Sequence, residues 1–91
     1  MSIDEKAVRA HLRSFASSRR GVEAYVEPPT SVTSTTVILI AHDGEWTRRA
    51  VVSRQRAFDL ARSLDVPVYD VNQTGYPQRM REWNARQRRR G

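Results

Sequence analysis

Ninety-one residues with a formal net charge of +6 and a pI near 11.0 bound this chain to one small domain with little depth for a catalytic cleft. The absence of cysteine excludes disulfides, thiolate metal sites and a cysteine nucleophile, and makes the cytoplasm the expected compartment. Fifteen of the sixteen basic residues are arginine, whose planar fork fits phosphate or carboxylate oxygens two at a time, so nucleic acid or an acidic protein surface is the expected partner class.

Ser2 followed by Glu5 has the form of a capping box, and Ile3, Ala7, Val8, Ala10, Leu12, Phe15 and Ala16 recur at helical spacing. A first helix of about four turns is predicted. Arg19 and Arg20 complement the negative end of its dipole, and Gly21 suits the left-handed position beyond it. Val22, Ala24 and Val26 then alternate with Glu23, Tyr25 and Glu27, the period of a half-buried strand, which Pro28 and Pro29 stop. Residues 30–34 are polar and read as a loop. The β-branched, apolar run 36–41 predicts a central strand, Asp43-Gly44 a two-residue hairpin turn, and residues 45–53 the returning strand.

Ser53 is placed to cap a second helix whose apolar stripe is Ala57, Phe58, Leu60, Ala61 and Leu64, with Arg54, Arg56, Asp59 and Arg62 on the wet side. Residues 66–71 read as a short fourth strand with Pro67 near its start, and residues 72–75 as a turn. Pro77 suits the first position of a last helix, in which Met80 and Trp83 share a face. The predicted fold is α+β: a three-stranded antiparallel sheet in the order helix-strand-strand-strand-helix, a short fourth strand and a C-terminal helix, with the helices packed on one face. Residues 1–87 form the single domain and residues 88–91 a basic tail. The longest apolar run, 37–41, is too short to cross a bilayer, and Asp4, Glu5 and Lys6 stand where a secretory signal would turn apolar, so neither export nor membrane insertion is expected.

The two histidines, His11 and His42, belong to no metal-ligand pattern, and no metal is expected. No nucleophile elbow, Walker loop or dinucleotide fingerprint is present, and four glycines do not build a phosphate cradle, so no cofactor is expected. His42, Asp43 and Glu45 on one turn and Tyr69-Asp70 at a strand end carry acid–base groups, but the first set reads as a turn and the second as a capping pair; an enzyme is not expected. Two basic patches remain. Arg48 and Arg49 on the returning strand join Arg54 and Arg56 at a helix start, where dipole and free N–H groups favour phosphate, and the four are expected to share a face. In residues 75–86, Tyr76 and Trp83 interleave with Arg79, Arg81 and Arg86, as in surfaces that stack on bases or anchor an interface. Carboxylates gather instead at Glu23, Glu27, Asp43 and Glu45. The predicted function is a small cytoplasmic protein that binds RNA or DNA through backbone contacts. The alternative is an interaction module that docks its last helix, with Met80 and Trp83 as anchors, on an acidic protein or on a second copy of itself.

The segments 43–49, 66–71 and 75–81, that is DGEWTRR, VPVYDV and GYPQRMR, resemble a family of small actinobacterial proteins. The resemblance covers most of the chain from Val22 onward and implies a cytosolic origin in a GC-rich bacterium without implying a reaction. Residues 2–65 are also similar in element order to double-stranded-RNA-binding domains, with arginines at the start of the second helix. The connection 28–34 departs from that pattern, because it lacks the basic and histidine-containing character of that family's minor-groove loop.

Overall fold

A computed structural model of the chain describes residues 2–90. Helix α1 (Glu5–Ser18) leads into strands β1 (Glu23–Glu27), β2 (Thr36–Ile40) and β3 (Trp46–Ala50). Helix α2 (Arg54–Ser63), strand β4 (Val68–Asp70), the short helix α3 (Val71–Thr74) and helix α4 (Gln78–Arg90) follow. The sheet order is β3-β2-β1-β4, with antiparallel pairing throughout β1, β2 and β3 and parallel pairing of β4 to β1. The α+β class and the three-stranded antiparallel core between two helices are those the periodicity predicts. The fourth strand reaches the far edge because α2 carries the chain from β3 across β2 and β1, a connection that parallel pairing requires.

The helices do not all pack on one face. Leu12 and Phe15 of α1 and Ala57, Leu60 and Ala61 of α2 cover Ala24, Val26, Val37 and Leu39. Met80 of α4 and Tyr76 cover Tyr25, Ile38 and Ile40 on the opposite face. The reason lies in β1 and β2. Their central residues are apolar at both parities, and successive strand side chains point to opposite sides, so a single helical layer would leave Tyr25, Ile38 and Ile40 in water. All three are at most 5% exposed. Among the described residues no helix is long and apolar enough to cross a membrane.

Local signals act close to their expected places. Asp4, rather than Ser2, caps α1, its Oδ1 accepting the Ala7 N–H at 3.0 Å. Ser53 caps α2 through the Arg56 N–H at 3.2 Å. The residues expected as a turn after β4 close instead into α3, which Asp70 caps through the Asn72 N–H at 2.8 Å. α4 begins just after Pro77 and runs through Arg88, Arg89 and Arg90, so that part of the expected basic tail is the exposed last turn of a helix; Gly91 lies outside the described residues.

Between the bonded pair Ala41 and Glu45, the β2–β3 turn has three residues, 42–44, not two. The Gly44 N–H donates to the Ala41 carbonyl at 2.9 Å, the Ala41 N–H donates to the Glu45 carbonyl at 2.8 Å, and Gly44 sits at φ +95° as the extra residue. Glycine serves a second purpose here. A Cβ at this position would overlap the Arg79 carbonyl oxygen and lie 2.8 Å from Trp83 Cβ, so the bare backbone lets α4 seat against the hairpin.

Candidate functional site

The arginines divide into two groups. Seven of them, Arg9, Arg19, Arg48, Arg54, Arg56, Arg62 and Arg79, stand within 4.0 Å of a carboxylate. Among the described residues the other eight, Arg13, Arg20, Arg49, Arg81, Arg86, Arg88, Arg89 and Arg90, make no such pair.

The first predicted patch does not assemble. Arg48 is aligned across the sheet with Ile38 and Arg49 with Val37, and those two side chains belong to opposite faces, so adjacent arginines on one strand point away from each other. Arg48 turns to the α4 face and grips Glu27 through Nε at 2.7 Å and Nη2 at 2.9 Å. Arg49 turns to the α1 face. There its charge, after burial and together with Arg19, lowers the pKa of His11, whose Nε2 is 2.6 Å from Thr47 Oγ1. At the α2 start, Arg54 donates to Asp70 at 2.6 Å and Arg56 to Glu5, so both cations of that helix end already have an anion.

Glu27 is the hub of a polar cluster that sequence reading passed over. Its Oε1 accepts from Thr36 Oγ1 at 2.6 Å and from Arg48 Nε, and its Oε2 accepts from Arg48 Nη2 and the Tyr76 hydroxyl. Burial alone raises a carboxyl pKa, but the Arg48, Thr36 and Tyr76 donors outweigh it and hold Glu27 below its ordinary value. Tyr76 is driven the other way, by burial and by its bond to the Glu27 anion. Glu27, Thr36, Arg48 and Tyr76 line a depression of about 480 Å³ together with Thr30, Thr33 and Asn72. With four donors on two oxygens, the carboxylate is occupied by the fold and held ionised.

Glu23 plays the matching part at the other end of β1. It accepts from Arg79 Nη2 at 2.5 Å, Tyr25 at 3.1 Å and Tyr69 at 3.4 Å. Burial, the Glu23 charge and the bond to it push the Tyr25 phenol up to about 12, against the opposing effect of Arg79. Arg79 also donates from Nε to the Ala41 carbonyl at 2.9 Å, so this predicted site residue ties α4 to the sheet. The acid–base groups noted in the sequence are likewise dispersed. His42 and Asp43 sit on the hairpin turn, Tyr69 faces Glu23, and Asp70 caps α3 and binds Arg54, whose bond lowers its pKa.

The second predicted patch fares differently. Among the described residues Arg81 donates only to the Tyr76 carbonyl, at 3.3 Å, and Arg86 only to the Asp43 carbonyl, at 2.7 Å, with its guanidinium 5.8 Å from the Trp83 ring centre. Trp83 itself is half-buried against Gly44, and Tyr76 is engaged with Glu27. The Arg86 bond brings α4 to the hairpin turn, and the His42 N–H bond to the Arg20 carbonyl, 2.9 Å, brings the end of α1 to the same turn. Arg20, Arg86 and the last turn of α4 therefore collect at one end of the molecule, beside a notch of about 200 Å³ lined by Arg19, Arg20, His42 and Asp43. Arg20 was not singled out in the sequence; an Arg-Arg-Gly at a helix end was its only signal, read there as dipole compensation.

Comparison of this chain with models of protein families, with curated proteins and with solved structures finds no match.

Proposed function

We propose that this protein binds the backbone of a nucleic acid through the exposed side of α4 and the hairpin end beside it, using Arg20, Arg81, Arg86, Arg88, Arg89 and Arg90. The observation that carries this reading is the sorting of the arginines. Five of the eight without a carboxylate lie on α4, whose only acidic residue is Glu82, and a sixth, Arg20, adjoins the hairpin turn that Arg86 also reaches. A cation already paired must give up its anion before it takes a phosphate, whereas an exposed, unpaired guanidinium exchanges only water and counterions. The concentration of unpaired charge, more than the net charge, supports polyanion binding.

Binding of this kind weakens steeply with salt, by about 0.9 in log affinity per log salt for each duplex phosphate neutralised. Arg86→Ala is expected to lower that slope by about one contact, and Arg54→Ala, whose cation is held by Asp70, to leave it nearly unchanged. Titration of labelled mixed-sequence nucleic acid at several salt concentrations measures both. An affinity no greater than that of an unrelated basic protein of similar charge rejects the reading.

A further inference from the structure

Resting on that reading, we infer that the polyanion is duplex DNA, with α4 seated in its major groove and Arg20 and Arg86 on the flanking backbone. The distribution of charge around the helix is the first reason. At about 100° per residue, Arg81, Arg86, Arg88, Arg89 and Arg90 span roughly 200° of the circumference, centred opposite Met80, the side chain that faces the sheet. Cations along one line of a helix suit a single phosphate strand. Cations around half of it suit a groove with phosphates on both walls.

The second reason is the state of the aromatic residues. Single strands are held by stacking bases on open aromatic faces. Of the seven aromatic side chains two are buried and five only partly exposed, and among the described residues the exposed large apolar ones are Val32 and Val52. Tyr76 is bonded to Glu27, Trp46 Nε1 to Asn84 at 2.8 Å, and Trp83 is packed on the hairpin, so these rings offer only part of their surface to a base. Duplex geometry then selects the form. A helix with its side chains is about 10–12 Å across, which matches the B-form major groove at about 12 Å and is excluded from the narrow A-form one. Arg86 marks the place where α4 leaves the hairpin, so the arginines beyond it reach past the body, and Arg20 stands beside that exit.

Fluorescence anisotropy at low salt with a 20-base-pair DNA duplex, one of its strands alone and an RNA duplex of the same sequence tests the inference. The DNA duplex is expected to bind at least about ten-fold more tightly than the other two, and the triple variant R88A/R89A/R90A to lose about ten-fold or more on it with unchanged circular dichroism. Arg13→Ala, an unpaired arginine on α1, is the control for charge alone. A DNA duplex whose major groove is filled by glucosylated hydroxymethylcytosine is expected to bind as poorly as the single strand. Equal affinity for single strand or RNA duplex, or indifference to the filled groove, overturns the groove assignment and leaves backbone binding standing. Failure to bind any of the three overturns the nucleic-acid reading itself.

Discussion

The two ends of the sheet use the same side chain in opposite ways. At the end formed by Glu27, Thr36, Ala50 and Asp70, most arginines are consumed, Arg48 by Glu27, Arg54 by Asp70 and, where α1 and α2 begin, Arg56 by Glu5, while Arg49 on the α1 face has no carboxylate among the described residues. At the hairpin end Arg19 and Arg79 are paired with Glu45 and Glu23, but Arg20, Arg86 and the last turn of α4 exceed the carboxylates within reach. An arginine's role here is set by what faces it across the fold. Its neighbours in sequence do not reveal that, because Glu27 lies far along the chain from Arg48, and Glu5 farther still from Arg56.

The contrast depends on α4 being seated where it is, and Gly44 controls that seat. Gly44→Ala is expected to cost about 3 kcal/mol, combining a left-handed backbone that alanine resists with a Cβ that displaces the first turn of α4. Thermal or denaturant unfolding measures it. A variant as stable as the parent would mean that α4 is only loosely held and that the clustering of Arg86 beside Arg20 is incidental.

A second way to break the comparison is to release a consumed arginine. Glu27→Gln leaves Arg48 and the Tyr76 hydroxyl with a weaker acceptor and is expected to cost about 1–2 kcal/mol, moderated because the Arg48 side chain is 40% exposed and can turn to water. If pairing is what keeps Arg48 from phosphate, the same variant should bind nucleic acid with a slightly steeper salt dependence. The sign of the pH effect follows from the lowered Glu27 pKa. A carboxylate depressed on folding contributes stability that is complete above its unfolded value and is lost as pH falls through the folded one. Acid should therefore destabilise the parent more than Glu27→Gln, and equal slopes of stability against pH below about 4.5 would remove Glu27 as the cause.

Much of the fold was legible because it depends on local signals. Alternation, the Asp43-Gly44 turn, the Ser53 cap and Pro77 mark most element boundaries within a residue or two. The face taken by α4 does not follow from strand propensity in residues 36–40; it follows from their apolar character at both parities, which requires the strand to be covered twice. The candidate site was less legible. Arg48 and Arg49 adjoin in sequence, and adjacency on a strand sends side chains to opposite faces. The sequence presents Tyr76 and Trp83 as stacking or anchoring groups, and the structure places both against the body, Tyr76 through Glu27 and Trp83 through Gly44. Arg81 and Arg86 remain free of carboxylates, and the helix they sit on extends that character through residues 88–90.

The smallest expected effect is the most specific test of the contrast. Glu82 is the one carboxylate on α4, it is exposed, and among the described residues it has no arginine partner. At about 100° per residue it lies roughly 200° from Met80, within the arc that the unpaired arginines cover. If that arc meets phosphates, Glu82 opposes them, and Glu82→Gln should raise affinity roughly two-fold at low salt with the gain fading as the Debye length shortens. If instead the basic helix is merely a solvated surface, the same substitution changes charge without changing affinity. Because Glu82 is exposed, any gain is read as the field at the helix surface.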